Sequence, residues 1–194
     1  MSWCRRALAR ARKSSTVSNG APVSGVSVSV KGELLTVTIV AGAVGFLTLA
    51  ARYPKRTPFD DEFDAAAAHY NLDPDMLRAI AHQETGGKFD AGALGPKNTN
   101  GTRDYGLMQI NELTARRYGI DPNTLIGNAK LAIDVAARLL VSIKQELGPL
   151  FSPWTWVAAY NAGSPAIRQR GIFNMAYASS VMFHWQMYKT RRAV

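Results

Sequence analysis

The apolar positions between residues 60 and 194 recur with the period of α-helices. Breaks at proline, glycine and helix-capping residues divide the pattern into predicted helices over 60–70, 74–85, 111–118, 129–147, 153–162 and 174–189. The longest carries an apolar stripe at every fourth position, formed by Leu131, Val135, Leu139, Ile143 and Leu147. Apart from room for a short hairpin between 95 and 110, this region shows no strand-like alternation. The pattern predicts one mostly α, globular domain over 60–194.

One predicted helix carries a carboxylate on its apolar face. The helix over 74–85 begins at the capping residue Asp73 followed by Pro74, and it stops at Gly86. Its apolar face is formed by Met76, Leu77, Ile80 and Ala81. Glu84 falls on this same face in the last turn, where burial and the negative end of the helix dipole both raise a carboxyl pKa. A carboxyl group that stays protonated near neutral pH suits a general acid in glycosidic cleavage.

Charge and cysteine content exclude several functions. Residues 1–59 carry nine Lys or Arg and one Glu, whereas residues 60–194 carry fourteen Lys or Arg against thirteen Asp or Glu. The predicted domain is therefore nearly neutral, which argues against nucleic acid as a partner. Cys4 is the only cysteine, so an intrachain disulfide and a cysteine-based zinc cluster are excluded. His82 and Glu84 match half of a zinc deaminase motif, but its cysteine pair is missing. We expect neither a metal nor a cofactor.

The first 59 residues predict a membrane attachment. Residues 1–33 have the composition of a basic, disordered tail, and residues 52–59, with two prolines, that of a linker. Between them, residues 34–51 are eighteen uncharged positions, which reach about 27 Å as a helix and predict one transmembrane helix. A buried core element and a cleaved signal peptide are the alternatives. Flanking charges do not settle the orientation of the span.

Three short strings carry a resemblance to a known family. Glu84 is followed by Thr-Gly, G-L-M-Q-I-N stands at 106–111, and A-Y-N-A-G stands at 159–163. In this order they resemble the soluble lytic transglycosylases, whose fold is like that of goose-type lysozyme. The polar stretch before Gly106 is similar to that of short members found with secretion or conjugation machines and in phage virions. The resemblance covers most of residues 60–190.

The resemblance implies roles for individual residues. Glu84 would act as acid and then as base, and Tyr160 would lie beside it and help to set its proton affinity. The remaining residues implied to bind the glycan substrate are Thr85, Tyr105, Met108, Gln109 and Asn161. The chain departs from the family at two positions that are usually serine, since it has Thr85 after the glutamate and Asp104 two residues before Gly106.

The implied activity is cleavage of the β-1,4 bond between N-acetylmuramic acid and N-acetylglucosamine in peptidoglycan, with a 1,6-anhydro product. Hydrolysis by a muramidase is the first alternative, and Asp90, Asp104 and Glu112 are candidates for its second carboxylate. A non-catalytic wall-binding assembly protein is the second alternative. The expected partners are glycan strands, membrane lipid at residues 34–51 and a larger secretion or virion assembly. The catalytic domain would face the periplasmic side, or the protein would belong to the membrane of a phage virion.

Overall fold

The computed structural model of the chain describes residues 27–28, 37–38 and 53–193. Two short strands come first, β1 (Ser27–Val28) and β2 (Val37–Thr38). The domain that follows contains helices α1 (Asp60–Tyr70), α2 (Pro74–Thr85), α3 (Glu112–Arg117), α4 (Ala129–Leu147), α5 (Pro153–Ala162), α6 (Ser164–Arg170) and α7 (Met175–Ala193). Between α2 and α3 lies a hairpin of strands β3 (Asp104–Tyr105) and β4 (Ile110–Asn111), and a 3₁₀ helix spans Pro122–Leu125. The mostly α domain predicted from the sequence is confirmed.

Helix α2 begins and ends where the sequence predicts. The Asp73 side chain accepts a hydrogen bond from the backbone N–H of Asp75, and Pro74 occupies the first turn. At the other end, Gly86 adopts a left-handed conformation with φ of 60° and donates its N–H to the carbonyl of His82. These caps fix the last turn of α2, and therefore Glu84, relative to the rest of the domain.

Helix α4 lies at the centre of the core, with α1 and α5 packed against it, while α7 packs along α2. The buried face of α4 differs from the stripe predicted at every fourth position, because Leu131 and Leu139 are only half-buried. With 3.6 residues per turn, each four-residue step rotates by about 40° away from the face on which it started. The face that is buried includes Ala132, Val135, Ala136, Leu140 and Ile143.

The predicted hairpin is present and very short. Asp104 pairs with Asn111 and Tyr105 with Ile110 in antiparallel register. The turn between the strands starts at Gly106, with φ of 69°, where an added Cβ would lie 2.4 Å from the carbonyl oxygen of Leu125. No other residue fits this position, so the first glycine of G-L-M-Q-I-N has a steric role.

The predicted tail over 1–33 and the predicted transmembrane helix over 34–51 lie almost entirely outside the described residues. The four residues described there form a small ladder in which Ser27 pairs with Thr38 and Val28 with Val37. At these positions the structure therefore has strand, where the sequence predicts tail and helix. Valine and threonine, which are β-branched, favour the extended conformation. Within the described ranges, no helix combines the length and apolar character that a membrane span requires.

Candidate active site

Glu84 lies in the last turn of α2, half-buried, on the face that packs into the core. The neighbouring apolar residues of this face are at most 5% exposed: Met76, Leu77, Ile80 and Ala81. The carboxyl Oε1 accepts a hydrogen bond of 2.6 Å from the phenol O–H of Tyr177 on α7. Among the described residues, Tyr177 thus provides a strong hydrogen bond to a carboxyl group that lies on the apolar face of its helix.

Burial raises the pKa of Glu84 to about 7. The hydrogen bond from Tyr177 favours the ionised form and lowers the pKa, but it does not offset the burial, and the negative charge of Asp104 raises the pKa further. Among the described residues, no Lys, Arg or His forms an ion pair with Glu84. A carboxyl group in this state holds its proton near neutral pH and is able to transfer it.

Helix α7 contacts three consecutive residues of α2. These contacts join Tyr177 to Glu84, Ser180 to Gln83, and Tyr188 to His82, the last at 2.8 Å. The ring of His82 also stacks on that of His184, with their centroids 3.9 Å apart. The last turn of α2 is therefore fixed to α7 by side chains, and the position of Glu84 depends on both helices.

Tyr160, at the end of α5, lies close to Glu84 and Asp104. Burial raises its pKa well above the ordinary value, and the charges of Glu84 and Asp104 add to this rise. Its phenol O–H donates a hydrogen bond of 2.9 Å to the carbonyl oxygen of Met108. The expected neighbourhood of Tyr160 and Glu84 is therefore present, and Tyr160 also joins α5 to the hairpin turn.

Met108 does not line an open groove as the sequence predicts. Its side chain is 0% exposed and packs in the core, because the tight hairpin turn directs it inward. Only its backbone carbonyl reaches the neighbourhood of the site, where it accepts the hydrogen bond from Tyr160. Met108 is therefore a packing residue.

Gln109 adopts a left-handed backbone conformation, with φ of 44°. Such a conformation is rare for a residue other than glycine and costs about 1–3 kcal/mol. The side-chain Nε2 donates to the carbonyl of Gly106 at 2.9 Å and to that of Ala93 at 3.4 Å. These bonds hold the half-buried side-chain amide of Gln109 against the hairpin turn. Its contact with substrate stays a prediction.

Thr85 has a structural role in place of the predicted contact with substrate. Its hydroxyl donates to the carbonyl of Ala81 at 2.7 Å and accepts from the N–H of Phe89 at 2.9 Å, and the residue is 7% exposed. Since α2 ends here, the threonine satisfies backbone groups that the helix leaves unpaired. The hydroxyl is thus used to join α2 to the following loop.

Tyr105 and Asn161 lie at accessible positions. Tyr105 is half-buried in β3, and Asn161 is exposed at the end of α5. The Asn161 Oδ1 accepts a hydrogen bond of 2.9 Å from the Nδ2 of Asn174, which begins the last helix. Both remain candidates for substrate contact.

Of the three carboxylates considered for a second role, only Asp104 neighbours the site. Its two oxygens accept hydrogen bonds from the side-chain amides of Asn98, at 3.2 Å, and Asn111, at 2.9 Å. Asp90 caps a local turn at Gly92, and Glu112 pairs with Arg116 on the surface. The polar loop is therefore built around Asp104, whose charge acts on Glu84.

Tyr177 was not predicted from the sequence as a site residue, although a pattern that indicates it exists. Polar side chains at 177, 180, 184 and 188 recur at helical spacing on a face whose other members, Ala178 and Val181, are buried. Such a polar row within an apolar face indicates partners on a neighbouring helix. No group of three or more His, Cys, Asp or Glu suited to a metal ion occurs in the described part of the chain.

The chain is similar to known proteins over most of the domain. Residues 61–181 match the family described as the transglycosylase SLT domain. The chain is 37% identical to Protein IpgF of Shigella flexneri over 107 residues, which are 54% of this chain and 66% of the relative, just under two thirds of its length. It is also 36% identical to X polypeptide of Escherichia coli (strain K12) over 126 residues, covering 62% of this chain and 70% of that protein.

A third relative covers more of both chains. Invasion protein IagB of Salmonella typhi is 33% identical over 136 residues, which are 69% of this chain and 78% of the relative. The family match includes Glu84, the hairpin, Tyr160 and Tyr177, and it extends over more than half of the sequence. The chain therefore belongs to the transglycosylase SLT domain family.

Proposed function

We propose that this protein is a peptidoglycan lytic transglycosylase that cleaves the bond between N-acetylmuramic acid and N-acetylglucosamine without water. One observation carries the proposal: Glu84 is a half-buried carboxyl group that forms no ion pair with a described residue, and desolvation raises its pKa to about 7. Family membership supports the same reaction class. Glu84 is the catalytic residue of the proposal, and no cofactor is required.

In the first step, protonated Glu84 gives its proton to the glycosidic oxygen. The bond between that oxygen and the anomeric carbon of the muramic sugar breaks, and positive charge develops on that carbon. The carbonyl oxygen of the substrate's own N-acetyl group attacks the carbon and forms a cyclic cation. Tyr177 supports this step because its hydrogen bond stabilises the carboxylate that Glu84 becomes.

In the second step, ionised Glu84 accepts the proton of the sugar's 6-hydroxyl group. The freed oxygen attacks the anomeric carbon, the bond to the N-acetyl oxygen breaks, and a 1,6-anhydro ring closes. Glu84 ends the cycle protonated, as it began. Atoms balance without water, and one residue serves as acid and then base because its pKa lies near the working pH.

The remaining site residues position the glycan in this proposal. Gln109, Tyr105, Tyr160 and Asn161 lie on the hairpin and the end of α5, the two elements that neighbour Glu84. Amide groups beside aromatic rings are typical of sugar-binding surfaces. Met108 and Thr85 contribute by packing and by backbone hydrogen bonds.

A hydrolytic muramidase is the second candidate, and Asp104 favours it. A second carboxylate near the acid is the arrangement of two-carboxylate glycosidases, in which it acts as nucleophile or as base for water. Both oxygens of Asp104 already accept hydrogen bonds from asparagine amides, which hold the group in place. We assign Asp104 an electrostatic role and expect it to form no bond to substrate.

Product analysis tests the two candidates against each other. Purified sacculi are digested with residues 53–194 and, separately, with the Glu84→Gln variant, and the fragments are weighed by mass spectrometry. An anhydro end is lighter than a reducing end by one water, about 18 Da. Anhydro ends support the proposal, whereas reducing ends alone, formed only while Asp104 is intact, would establish hydrolysis.

We further propose that the enzyme opens the wall locally for a larger assembly, such as a secretion apparatus or a virion, while residues 34–51 attach it to a membrane. The name of one relative, Invasion protein IagB, and the uncharged segment in the sequence support this. The full chain should stay with membranes in high salt and alkali, whereas residues 53–194 should be soluble. Release of the full chain by salt alone would contradict the attachment.

A further inference from the structure

The segment that joins α6 to α7, residues 171–174, is tied to the end of α5, which carries the candidate site residues Tyr160 and Asn161. Asn174 donates through Nδ2 to the carbonyl of Ala158, at 3.0 Å, and to the Oδ1 of Asn161, at 2.9 Å. Three residues further along, Tyr177 holds Glu84. One turn of helix rises about 5 Å, so this segment lies about one turn from the residue that holds the catalytic carboxyl group.

An arginine stacks on an aromatic ring across this segment. The guanidinium carbon of Arg170, the last residue of α6, lies 4.1 Å from the ring centroid of Phe173. Both residues are exposed, and Phe173 retains 39% of its accessible surface. A guanidinium group that interacts with an aromatic face keeps its N–H groups available, and an arginine can bind a carboxylate with two parallel hydrogen bonds. We call Arg170 and Phe173 the arginine–aromatic shelf.

The charge of the shelf is not neutralised by the protein. Residues 147–194 contain five Lys or Arg and no Asp or Glu. Of these, Lys189 and Arg192 reach carboxylates of the first two helices. Among the described residues, no carboxylate lies within ion-pair distance of Arg170. Within the described part of the chain, the shelf is therefore an exposed cation without an anionic partner, seven residues before Tyr177, which binds Glu84.

We propose that the arginine–aromatic shelf binds a carboxylate of the peptide that branches from the muramic sugar, and so selects strands that carry peptides. The inference rests on the proposed function, because it assumes that a glycan strand lies against Glu84. The sugars of such a strand bind through hydroxyl and amide groups, whereas the branching peptide carries free carboxylates. In this proposal the Arg170 guanidinium binds the charged part of the substrate while the sugars lie against Glu84.

The test compares cleavage of two forms of one substrate. Soluble glycan strands that carry peptides are used as isolated and after their free carboxylates are converted to primary amides. We measure kcat/KM of the full-length protein, purified in detergent, on both forms for the wild type, Arg170→Gln and Phe173→Leu. Arg168→Gln is the matched control, because Arg168 is equally exposed on α6 but, two residues away, does not share the direction of Arg170.

Arg170→Gln should lower kcat/KM on the native strands by about tenfold, the size of one charge-assisted hydrogen bond, and should match the wild type on the amidated strands. Phe173→Leu should give a smaller loss with the same dependence on substrate charge. Arg168→Gln should be unchanged on both forms.

An equal loss on both forms, or no loss on either, would overturn the inference while leaving the proposed function intact. Failure of the wild type to cleave either form would overturn the proposed function, and the inference with it.

Discussion

Helix α2 places a charged group towards the core near each of its ends, the buried Arg78 and the half-buried Glu84, and only Arg78 is paired with opposite charges. Arg78 is 2% exposed and forms ion pairs with Asp60, Asp64 and Asp75 at 2.7–3.1 Å. Glu84 lies six residues further on, about 9 Å along the helix, and has a single hydrogen bond from Tyr177. Arg78 is thus fully compensated, while the carboxyl group of Glu84 avoids the cost of burial by keeping its proton.

The pKa directions follow this difference. Burial alone would raise the pKa of Asp60 and Asp64, but hydrogen bonds and the charge of Arg78 outweigh it, so both values are lowered. In Asp75, burial prevails and the pKa is raised despite Arg192 and Arg78. At Glu84, which forms no ion pair with a described cation, burial raises the pKa to about 7. One end of the helix stabilises the fold through charge, and the other keeps a proton available for chemistry.

The largest expected effect is the loss of activity in Glu84→Gln. The amide keeps the shape of the side chain but cannot transfer a proton, so wall cleavage should fall about a thousandfold or more. Turbidity loss of purified sacculi measures this, and circular dichroism confirms the helical fold. A folded variant that retains activity would contradict the assignment of Glu84.

The same variant should be more stable than the wild type at alkaline pH. Between pH 4.5 and about 7 the unfolded chain has released the Glu84 proton while the folded chain keeps it, so stability falls as pH rises through this window. Above pH 7 the cost is about 3 kcal/mol, since one pKa unit corresponds to about 1.4 kcal/mol. Urea unfolding at pH 4.5 and pH 8 should show this cost in the wild type and not in Glu84→Gln.

At the other end of α2, Arg78→Met should destabilise the fold by about 3–5 kcal/mol, because it leaves buried carboxylates without their cation. Urea unfolding at pH 7 measures the loss. Arg116→Met is the matched control, because the Arg116 side chain is 63% exposed in its pair with Glu112 and should contribute less than about 1 kcal/mol. If the two substitutions lowered the free energy of unfolding equally, the buried ion pairs of Arg78 would contribute no more to stability than an exposed pair, which would contradict this account of Arg78.

A smaller change is expected from Tyr177→Phe. The lost hydrogen bond favoured ionised Glu84, so the pKa of Glu84 should rise, and the alkaline limit of kcat/KM should move to higher pH. Activity at pH 6 should fall by no more than about tenfold, the range of one hydrogen bond. A shift of the alkaline limit to lower pH would show that Tyr177 does not act on the proton of Glu84.

The smallest change is expected from Asp104→Asn, and its direction is opposite. Removing the negative charge lowers the pKa of Glu84, so the alkaline limit of kcat/KM should move to lower pH while most activity at pH 5 remains. The asparagine keeps the shape of the group between Asn98 and Asn111. A loss of a hundredfold or more at all pH values would instead identify Asp104 as a second catalytic carboxylate.

The sequence predicted the helical domain and Glu84 because both depend on local patterns. Capping residues marked the ends of α2, and a charge on an apolar face stood out without any knowledge of its neighbours. The role of Met108 was predicted wrongly because the direction of a side chain in a tight turn depends on backbone angles that the sequence does not show. Tyr177 was missed because its partner lies 93 residues away on another helix.

The same distinction between local patterns and distant contacts explains what the sequence could predict about Thr85 and Asp104. The sequence identified the threonine hydroxyl, but only the structure shows that it forms hydrogen bonds with the backbone of Ala81 and Phe89. Asp104 was recognised as a departure from the family, and its effect on Glu84 depends on the hairpin that brings the two carboxyl groups near each other. Residues whose role depends on their neighbours in sequence could be predicted. Contacts between residues distant along the chain could be identified only from the structure.

The central claim is that Glu84 keeps its proton near neutral pH because its carboxyl group is desolvated and forms no ion pair with a described residue. Residues 53–194 labelled with ¹³C at the side-chain carboxyl carbon of glutamate allow direct titration by NMR, and Glu84→Gln assigns the resonance by its loss. The account predicts one glutamate that titrates at about pH 7, well above the ordinary value of 4.5. A Glu84 resonance that titrates at the ordinary value would contradict it.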